Sequence, residues 1–125
     1  MKATKRLQAA RERLRQLQYE RQKLLQIFYG EERLIAGSYG KLFIRCGQPT
    51  CHCHQERGHF ATRLSRWVDG KLKSQIVKVA DRDWVNKASD RYKEHKATLR
   101  NVQKLNAKEL DLVKRILELK TTKYD

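Results

Sequence analysis

Residues 61–79 read ATRLSRWVDGKLKSQIVKV, so that two β-prone runs flank the dipeptide Asp69-Gly70. Asp-Gly between such runs is the strongest short-range signal for a two-residue β-turn, because both turn positions need φ > 0. A turn of two residues places Trp67 opposite Leu72 in an antiparallel pair. The stretch therefore predicts a β-hairpin, and the other elements are predicted on either side of it.

The two faces of this hairpin differ in chemistry. Strand alternation places three apolar side chains on one face: Trp67, Leu72 and Ile76. The other face has Arg66 directly opposite Lys73, with Lys71 beside them. Same-sign charges directly opposite one another destabilise a sheet unless an anion binds to them. This face therefore indicates either phosphate binding or a solvated, twisted ribbon.

The apolar face of the hairpin is expected to form a small core with neighbouring elements. Lys41–Arg45 is a further strand candidate because it is rich in large apolar residues, and it leads directly into Cys46. The expected core residues are Leu34, Leu42, Ile44, Trp67, Leu72, Ile76 and Trp84.

The segment after this strand carries a metal-binding signal, Cys46-Gly47-Gln48-Pro49-Thr50-Cys51-His52-Cys53-His54, and Gly58-His59 follows. A tight turn over residues 47–50 brings Cys46 next to Cys51. Cys51 and Cys53, two apart on an extended segment, point their sulfurs the same way. Structural Zn²⁺ sites use four thiolate or imidazole ligands in a tetrahedron. The predicted ligands are Cys46, Cys51, Cys53 and His59, with His52 and His54 as alternatives to His59.

A closed structural Zn²⁺ site fits this pattern better than a catalytic centre. The cysteines lack the Cys-x-x-Cys spacing of redox motifs, and no Asp or Asn lies nearby to orient an imidazole for nucleophilic catalysis. Unliganded thiols and a catalytic Cys–His pair remain as alternatives. We therefore expect a protein that is not an enzyme, in which Zn²⁺ stabilises a β unit too small to hold itself together.

Two long amphipathic helices are predicted on either side of the β unit. In residues 5–29 apolar side chains recur at three- and four-residue steps, with Arg21 in one position of the stripe: Leu7, Ala10, Leu14, Leu17, Leu24 and Phe28. Residues 81–120 carry a similar stripe that includes His95. These stripes predict a helical hairpin or a coiled coil, with His95 in the seam between helices.

The predicted fold class is α+β, in one structural domain. A basic amphipathic helix covers residues 1–30, a zinc-binding antiparallel β unit with the hairpin covers 31–80, and a long C-terminal helix covers 81–125. A chain of 125 residues supports one domain of this kind and leaves no room for a large catalytic core.

The chain is strongly basic, because 29 Lys and Arg against 14 Asp and Glu give a formal net charge of +15. Such an excess favours a polyanionic partner, and nucleic acid, either DNA or RNA, is the first candidate. The candidate nucleic-acid-binding residues are Arg6, Arg11, Arg13, Arg15, Arg63, Arg66, Trp67, Lys71 and Lys73. No apolar run suits a membrane span or a signal peptide, so we expect a cytosolic protein without a membrane partner.

The cysteine segment also resembles a family of short uncharacterised bacterial proteins, in which the motif C-G-x-P-x-C-x-C and a later H-G-P-Y precede a hairpin and a helical tail. The matching residues are Gly37-Ser38, Arg45–Cys53, Gly58-His59 and Gly70-Lys71, with Phe60-Ala61 in place of Gly-Pro. The resemblance covers about residues 33–105 and places Cys46, Cys51, Cys53 and His59 at the family's Cys and His positions. It implies a bacterial setting beside transposases on mobile elements.

Together these features predict a non-catalytic nucleic-acid-binding accessory protein that acts with a transposase or nuclease-type partner. Phosphate contacts by basic side chains give affinity more readily than base reading. The alternative is a coiled-coil adaptor for protein interaction or oligomerisation, in which the helices form a homodimer without contacting nucleic acid. Only the first function predicts binding that weakens steeply with salt.

Overall fold

The computed structural model describes residues 2–54 and 58–124, except for the side chains of Lys2, Ala3 and Cys53. Its elements are α1 (Lys2–Leu25), β1 (Ser38–Ile44), β2 (His59–Val68), β3 (Lys71–Ile76) and α2 (Arg82–Lys120), with 3₁₀ turns at Gln26–Tyr29, His52–His54 and Val79–Asp81. The predicted α+β fold, with a long helix before and after a small antiparallel sheet, is confirmed. Within the described residues, neither helix combines the length and the apolar character needed to cross a membrane.

The three strands form one antiparallel sheet in the order β1-β2-β3. The turn between β2 and β3 is Asp69-Gly70, with φ angles of 51° and 77°, as a two-residue turn with positive φ at both positions requires. Trp67 pairs with Leu72, and Arg66 pairs with Lys73. The predicted hairpin and its register are therefore confirmed.

The sheet has two faces, which we name by their relation to α2. The helix-side face carries, among others, the residues Phe60, Thr62, Leu64, Arg66, Lys71, Lys73 and Gln75. The open face carries, among others, the residues His59, Ala61, Arg63, Ser65, Trp67, Leu72, Ser74 and Ile76. The guanidinium of Arg82, the first residue of α2, lies 4.9 Å from the centroid of the Phe60 ring, so the start of α2 packs on the helix-side face.

The core of the β unit lies between the helix-side face and α2. Thr62 is 1% exposed, Ala88 is 1% exposed and Ser89 is fully buried. The Ser89 hydroxyl donates a hydrogen bond to the Gly37 carbonyl oxygen at 2.7 Å, which satisfies a buried polar group. This bond also holds the segment before β1 against α2.

The expected core on the open face is wrong. Trp67 is 73% exposed, Leu72 is 58% exposed and Ile76 is 54% exposed, because α2 covers the opposite face of the sheet. The other expected members are exposed or half-buried: Leu34, Leu42, Ile44 and Trp84. Alternation separates the two faces of a strand but does not decide which face a helix covers.

The chain divides into two compact units, Met1–Glu31 with His95–Asp125, and Glu32–Glu94, so that α2 contributes to both. In the first, which we call the helical unit, the predicted stripes of α1 and α2 pack together. Its buried apolar residues are Ala10, Leu17, Val102 and Leu105. His95 lies in this seam as expected, because its Nε2 is 3.1 Å from the Ile27 carbonyl oxygen and its ring meets Phe28 edge-on.

Candidate functional site

Three potential metal ligands meet where the chain passes from β1 to β2. Ligand atoms of Cys46, Cys51 and His59 all lie within 4.8 Å of one another, and the Cys51 Sγ is 3.4 Å from the His59 Nε2. Tetrahedral ligands at ~2.3 Å for sulfur and ~2.0 Å for nitrogen lie about 3.5 Å apart around Zn²⁺. The sulfur–nitrogen distance thus already suits a shared ion, and the three side chains can hold a metal ion.

The pairing of β1 with β2 brings His59 to the cysteines. His59 pairs with Ile44 at the end of the ladder, and Cys46 follows Ile44 by two residues. Cys51 returns through a turn in which its N–H donates to the Gln48 carbonyl oxygen at 3.1 Å. Pro49 occupies the second position of that turn, where its fixed φ is favoured. The tight turn expected before Cys51 is therefore present.

Gly58 allows the chain to return to this point. Its φ is +99°, and a Cβ atom built on it would lie 2.9 Å from the Ile44 carbonyl oxygen. Such a contact is shorter than real Cβ atoms show, and the positive φ is itself unfavourable for other residues. Glycine is therefore needed immediately before His59 for the β2 ladder to begin beside the cysteine segment.

The two other described histidines of the segment lie in different positions. The His54 Nε2 donates a hydrogen bond to the Cys46 carbonyl oxygen at 2.8 Å, so this ring is engaged by the backbone that carries Cys46. The His52 Nδ1 is 4.0 Å from the Cys51 Sγ, and its ring is edge-on to the His59 ring. Of the three histidines, His59 is the one grouped with Cys46 and Cys51.

The extended conformation expected around Cys53 is wrong, because His52–His54 form a 3₁₀ turn. The side chain of Cys53, the remaining predicted ligand, lies outside the described part of the structure.

The candidate nucleic-acid-binding residues are all exposed, and they are divided between the two units. Four of them lie on α1: Arg6, Arg11, Arg13 and Arg15. In the β unit, Arg63 and Trp67 lie on the open face, whereas Arg66, Lys71 and Lys73 lie on the helix-side face. Among the described residues, no carboxylate lies within ion-pair distance of these last three side chains.

A cleft beside Arg66 was not predicted from the sequence. It lies between the hairpin and the start of α2, and its lining includes Leu64, Arg66, Gln75, Val77, Lys78, Asp81, Trp84 and Val85. We call it the Arg66 cleft. Its residues come from β2, β3, the segment that follows β3 and α2, and no local pattern in the sequence indicates that they meet.

Trp84 is held in place at the side of this cleft. Its indole N–H donates to the Asp81 Oδ1 at 3.0 Å, and the Arg33 guanidinium lies 4.4 Å from its ring centroid. A hydrogen bond and a cation–π contact together restrict the rotation of the ring. The cleft therefore has a fixed aromatic wall.

One family model matches the chain, over residues 5–87, and its description is "domain of unknown function (DUF6788)". The match spans most of α1, the whole sheet with the candidate metal ligands, and the first residues of α2. No curated protein and no solved structure matches the chain.

Proposed function

The chain belongs to the DUF6788 family, and we propose that it is a non-catalytic nucleic-acid-binding protein whose sheet is stabilised by a structural Zn²⁺ ion. One observation carries the proposal: Arg66 and Lys73 are directly paired across β2 and β3, and the described residues provide no carboxylate within ion-pair distance of either. Like charges in this position destabilise the hairpin unless an anion lies on them. A phosphate group supplies that anion.

The distribution of charge supports a polymeric anion over a small one. Lys71 lies on the same face as Arg66 and Lys73. The excess of basic residues is not limited to this face, because the chain as a whole carries a net charge of +15. The exposed arginines of α1 offer a second phosphate-binding surface in the helical unit. Several Lys and Arg contacts to phosphates release counterions from a nucleic acid, and this release drives association at low salt.

Zn²⁺ is the metal that the ligand chemistry favours. Thiolate and imidazole ligands are typical of Zn²⁺ sites, whereas Ca²⁺ and Mg²⁺ prefer oxygen ligands. The fourth ligand is proposed to be Cys53. Thr62 is the one buried residue of the described strands, with Val77 buried just after β3, so binding free energy realised on folding would stabilise the connection between β1 and β2.

The test is the affinity of the purified protein for labelled oligonucleotides of about 20 nucleotides, DNA and RNA, over a range of salt concentrations. The double variant Arg66→Gln/Lys73→Gln is expected to bind more weakly, with the slope of log K against log salt shallower by about 1 to 2. Lys114→Gln/Arg115→Gln also removes one exposed lysine and one exposed arginine, from α2 and outside the candidate binding residues, and is the matched control.

Misfolding does not explain the expected loss, because removal of facing like charges stabilises the hairpin. An affinity that does not respond to salt, or equal effects of the double variant and the control, would contradict the proposed function. An accessory role beside a transposase or nuclease-type partner is the remaining part of the proposal. It is tested by isolating the native protein and identifying co-purifying proteins after nuclease digestion.

Self-association through α2 is a second candidate function, favoured by one observation. Leu110, Val113 and Leu117 are 56%, 48% and 68% exposed, and their spacing of three and four residues places them on one side of the helix. A second copy of the chain would bury this stripe as in a coiled coil. Light scattering would then give a dimer that Leu110→Gln/Leu117→Gln dissociates and Lys114→Gln does not, whereas a monomeric wild type excludes this function.

A further inference from the structure

We propose that the Arg66 cleft receives one unpaired base of a single-stranded nucleic acid, while Arg66 and Lys73 hold the adjacent phosphates. This inference rests on the proposed function and names the form of nucleic acid that the helix-side face prefers. It follows from the chemistry of the cleft, which combines an apolar interior, an aromatic wall, polar groups suited to a base edge and a basic rim.

The interior of the cleft is apolar, and its aromatic wall is held by two contacts. Val77 and Val85 are 8% and 6% exposed, and Leu64 is half-buried beside them. Trp84 forms the wall and is held by Asp81 and Arg33. Pockets with mostly apolar walls and a few fixed polar groups are typical of sites for small planar ligands, and bases stack on aromatic side chains.

Two polar groups in the cleft suit the hydrogen-bonding edge of a base. The Gln75 side chain is exposed at the cleft, and in the described structure its amide makes no hydrogen bond to the protein. A Gln amide offers both a donor and an acceptor. The Asp81 carboxylate uses its Oδ1 for the Trp84 indole, and its Oδ2 can accept a hydrogen bond from an amino group.

The basic groups are placed for phosphates next to such a base. Arg66 and Lys78 both line the cleft, and Lys73 is paired with Arg66 across the hairpin. All three side chains are exposed. A base in the cleft would therefore have cationic side chains beside it. The phosphate of its own nucleotide and those of the neighbouring nucleotides must lie there.

The need for an unpaired base follows from the cost of removing a base from a duplex. In a duplex, a base must leave its stack and its partner before it can enter a protein cleft, at a cost of a few kcal/mol. In a single strand this cost is small, and the Watson–Crick edge is free for hydrogen bonds. The cleft thus favours single strands, whereas phosphate contacts alone would favour the higher charge density of a duplex.

The experiment compares single-stranded DNA, single-stranded RNA and duplex DNA of one mixed sequence in binding to the full chain with Zn²⁺. The variant Gln75→Trp fills the mouth of the cleft from an exposed edge-strand position that accepts aromatic residues. Ser74→Trp adds the same side chain one residue away on the open face and is the matched control. Gln75→Ala removes the amide without filling the cleft and is the second test variant.

We expect the wild type to bind at least one single strand about 10-fold more tightly than the duplex. Gln75→Trp is expected to lose most of this preference and keep its duplex affinity, Gln75→Ala to weaken single-strand binding severalfold, and Ser74→Trp to bind as the wild type. In a Trp67→Phe background Trp84 is the sole tryptophan, and its fluorescence should be quenched by single strands and not by the duplex.

These results separate the inference from the proposed function. Equal affinity for single strands and duplex would overturn the cleft inference, and so would equal effects of Gln75→Trp and Ser74→Trp. The proposed function would still stand if binding depends on salt and is weakened by Arg66→Gln/Lys73→Gln. Failure to bind any of the three oligonucleotides at low salt would overturn both. A difference between DNA and RNA that Gln75→Trp removes would assign the sugar preference to the same cleft.

Discussion

The Arg21 Nε lies 3.3 Å from the Glu109 Oε1, so a charged residue in the apolar stripe of α1 meets a charged residue in the stripe of α2. The Glu109 side chain is only 14% exposed, whereas that of Arg21 is 35% exposed. Arg21 also donates to the Asn106 side-chain oxygen at 3.3 Å. A polar pair inside a helical seam favours the one register in which the two residues meet.

Removal of Arg21 is expected to be more damaging than removal of Glu109. Arg21→Met leaves a largely buried carboxylate without its partner and should lower the free energy of unfolding by about 1 to 3 kcal/mol. Glu109→Leu should cost less, because the long Arg21 side chain can turn to solvent. Urea unfolding of both variants and of the double variant measures the coupling; strictly additive effects would show that the pair contributes nothing.

Removal of the metal is expected to unfold the connection between β1 and β2 and to leave the seam of the helical unit intact. Thr62 is the one buried residue of the described strands, and Val77 is buried just after β3, so we expect the cysteine segment to depend on the proposed ion. Chelation should abolish amide-exchange protection in β1 and β2, while Leu17 and Val102 keep theirs. Unchanged protection in a protein shown to be free of Zn²⁺ would rule out a structural role for the ion.

The two histidines His59 and His54 are expected to differ in their effect on metal binding. His59→Ala removes a ligand and should change the visible absorption of the Co²⁺-substituted protein, because the ligand set changes. His54→Ala removes only a hydrogen bond to the Cys46 carbonyl oxygen and should weaken binding by about 10- to 100-fold without changing that spectrum. If His54→Ala changes the spectrum and His59→Ala does not, the ligand is His54 and not His59.

Gly58→Ala is expected to destabilise both the sheet and the metal centre. Its φ of +99° and the close approach to the Ile44 carbonyl oxygen give a cost of about 1 to 3 kcal/mol. Gly40→Ala is the matched control, because a Cβ at Gly40 meets nothing within 4 Å and alanine in a strand stabilises by about 0.5 to 1 kcal/mol relative to glycine. Thermal unfolding of the Zn²⁺-bound variants measures both; equal melting temperatures would contradict the strain assigned to Gly58.

Local signals in the sequence were sufficient for the hairpin and the helices. Asp69-Gly70 determines the register, since the turn length determines every pair that follows it. The stripes of both helices were also predictable, including Arg21 inside one of them. β1 and β2 begin earlier than expected, at Ser38 and His59, because their pairing continues across Ser38, Gly40 and His59, which have little intrinsic preference for strands.

The features that could not be predicted depend on contacts between distant parts of the chain. Both faces of the hairpin carry apolar residues, Leu64 on one and Trp67 on the other, so composition alone does not show which face α2 covers. The Arg66 cleft requires the chain to turn back at Val79–Asp81. The grouping of Cys46, Cys51 and His59 was predictable from residue type, whereas the 3₁₀ turn that replaces the extended segment at Cys53 was not.

β3 is an edge strand, and every one of its residues is exposed. Unpaired backbone groups on such an edge invite another strand to add to the sheet, and lysines on the edge oppose this addition. Lys71 and Lys73 therefore protect the protein from aggregation as well as lying on the face proposed to bind phosphate. Neutral substitutions of Lys71 and Lys73 would therefore also leave the β3 edge open to pairing with a strand of another molecule. Selection for solubility alone would retain these two charges.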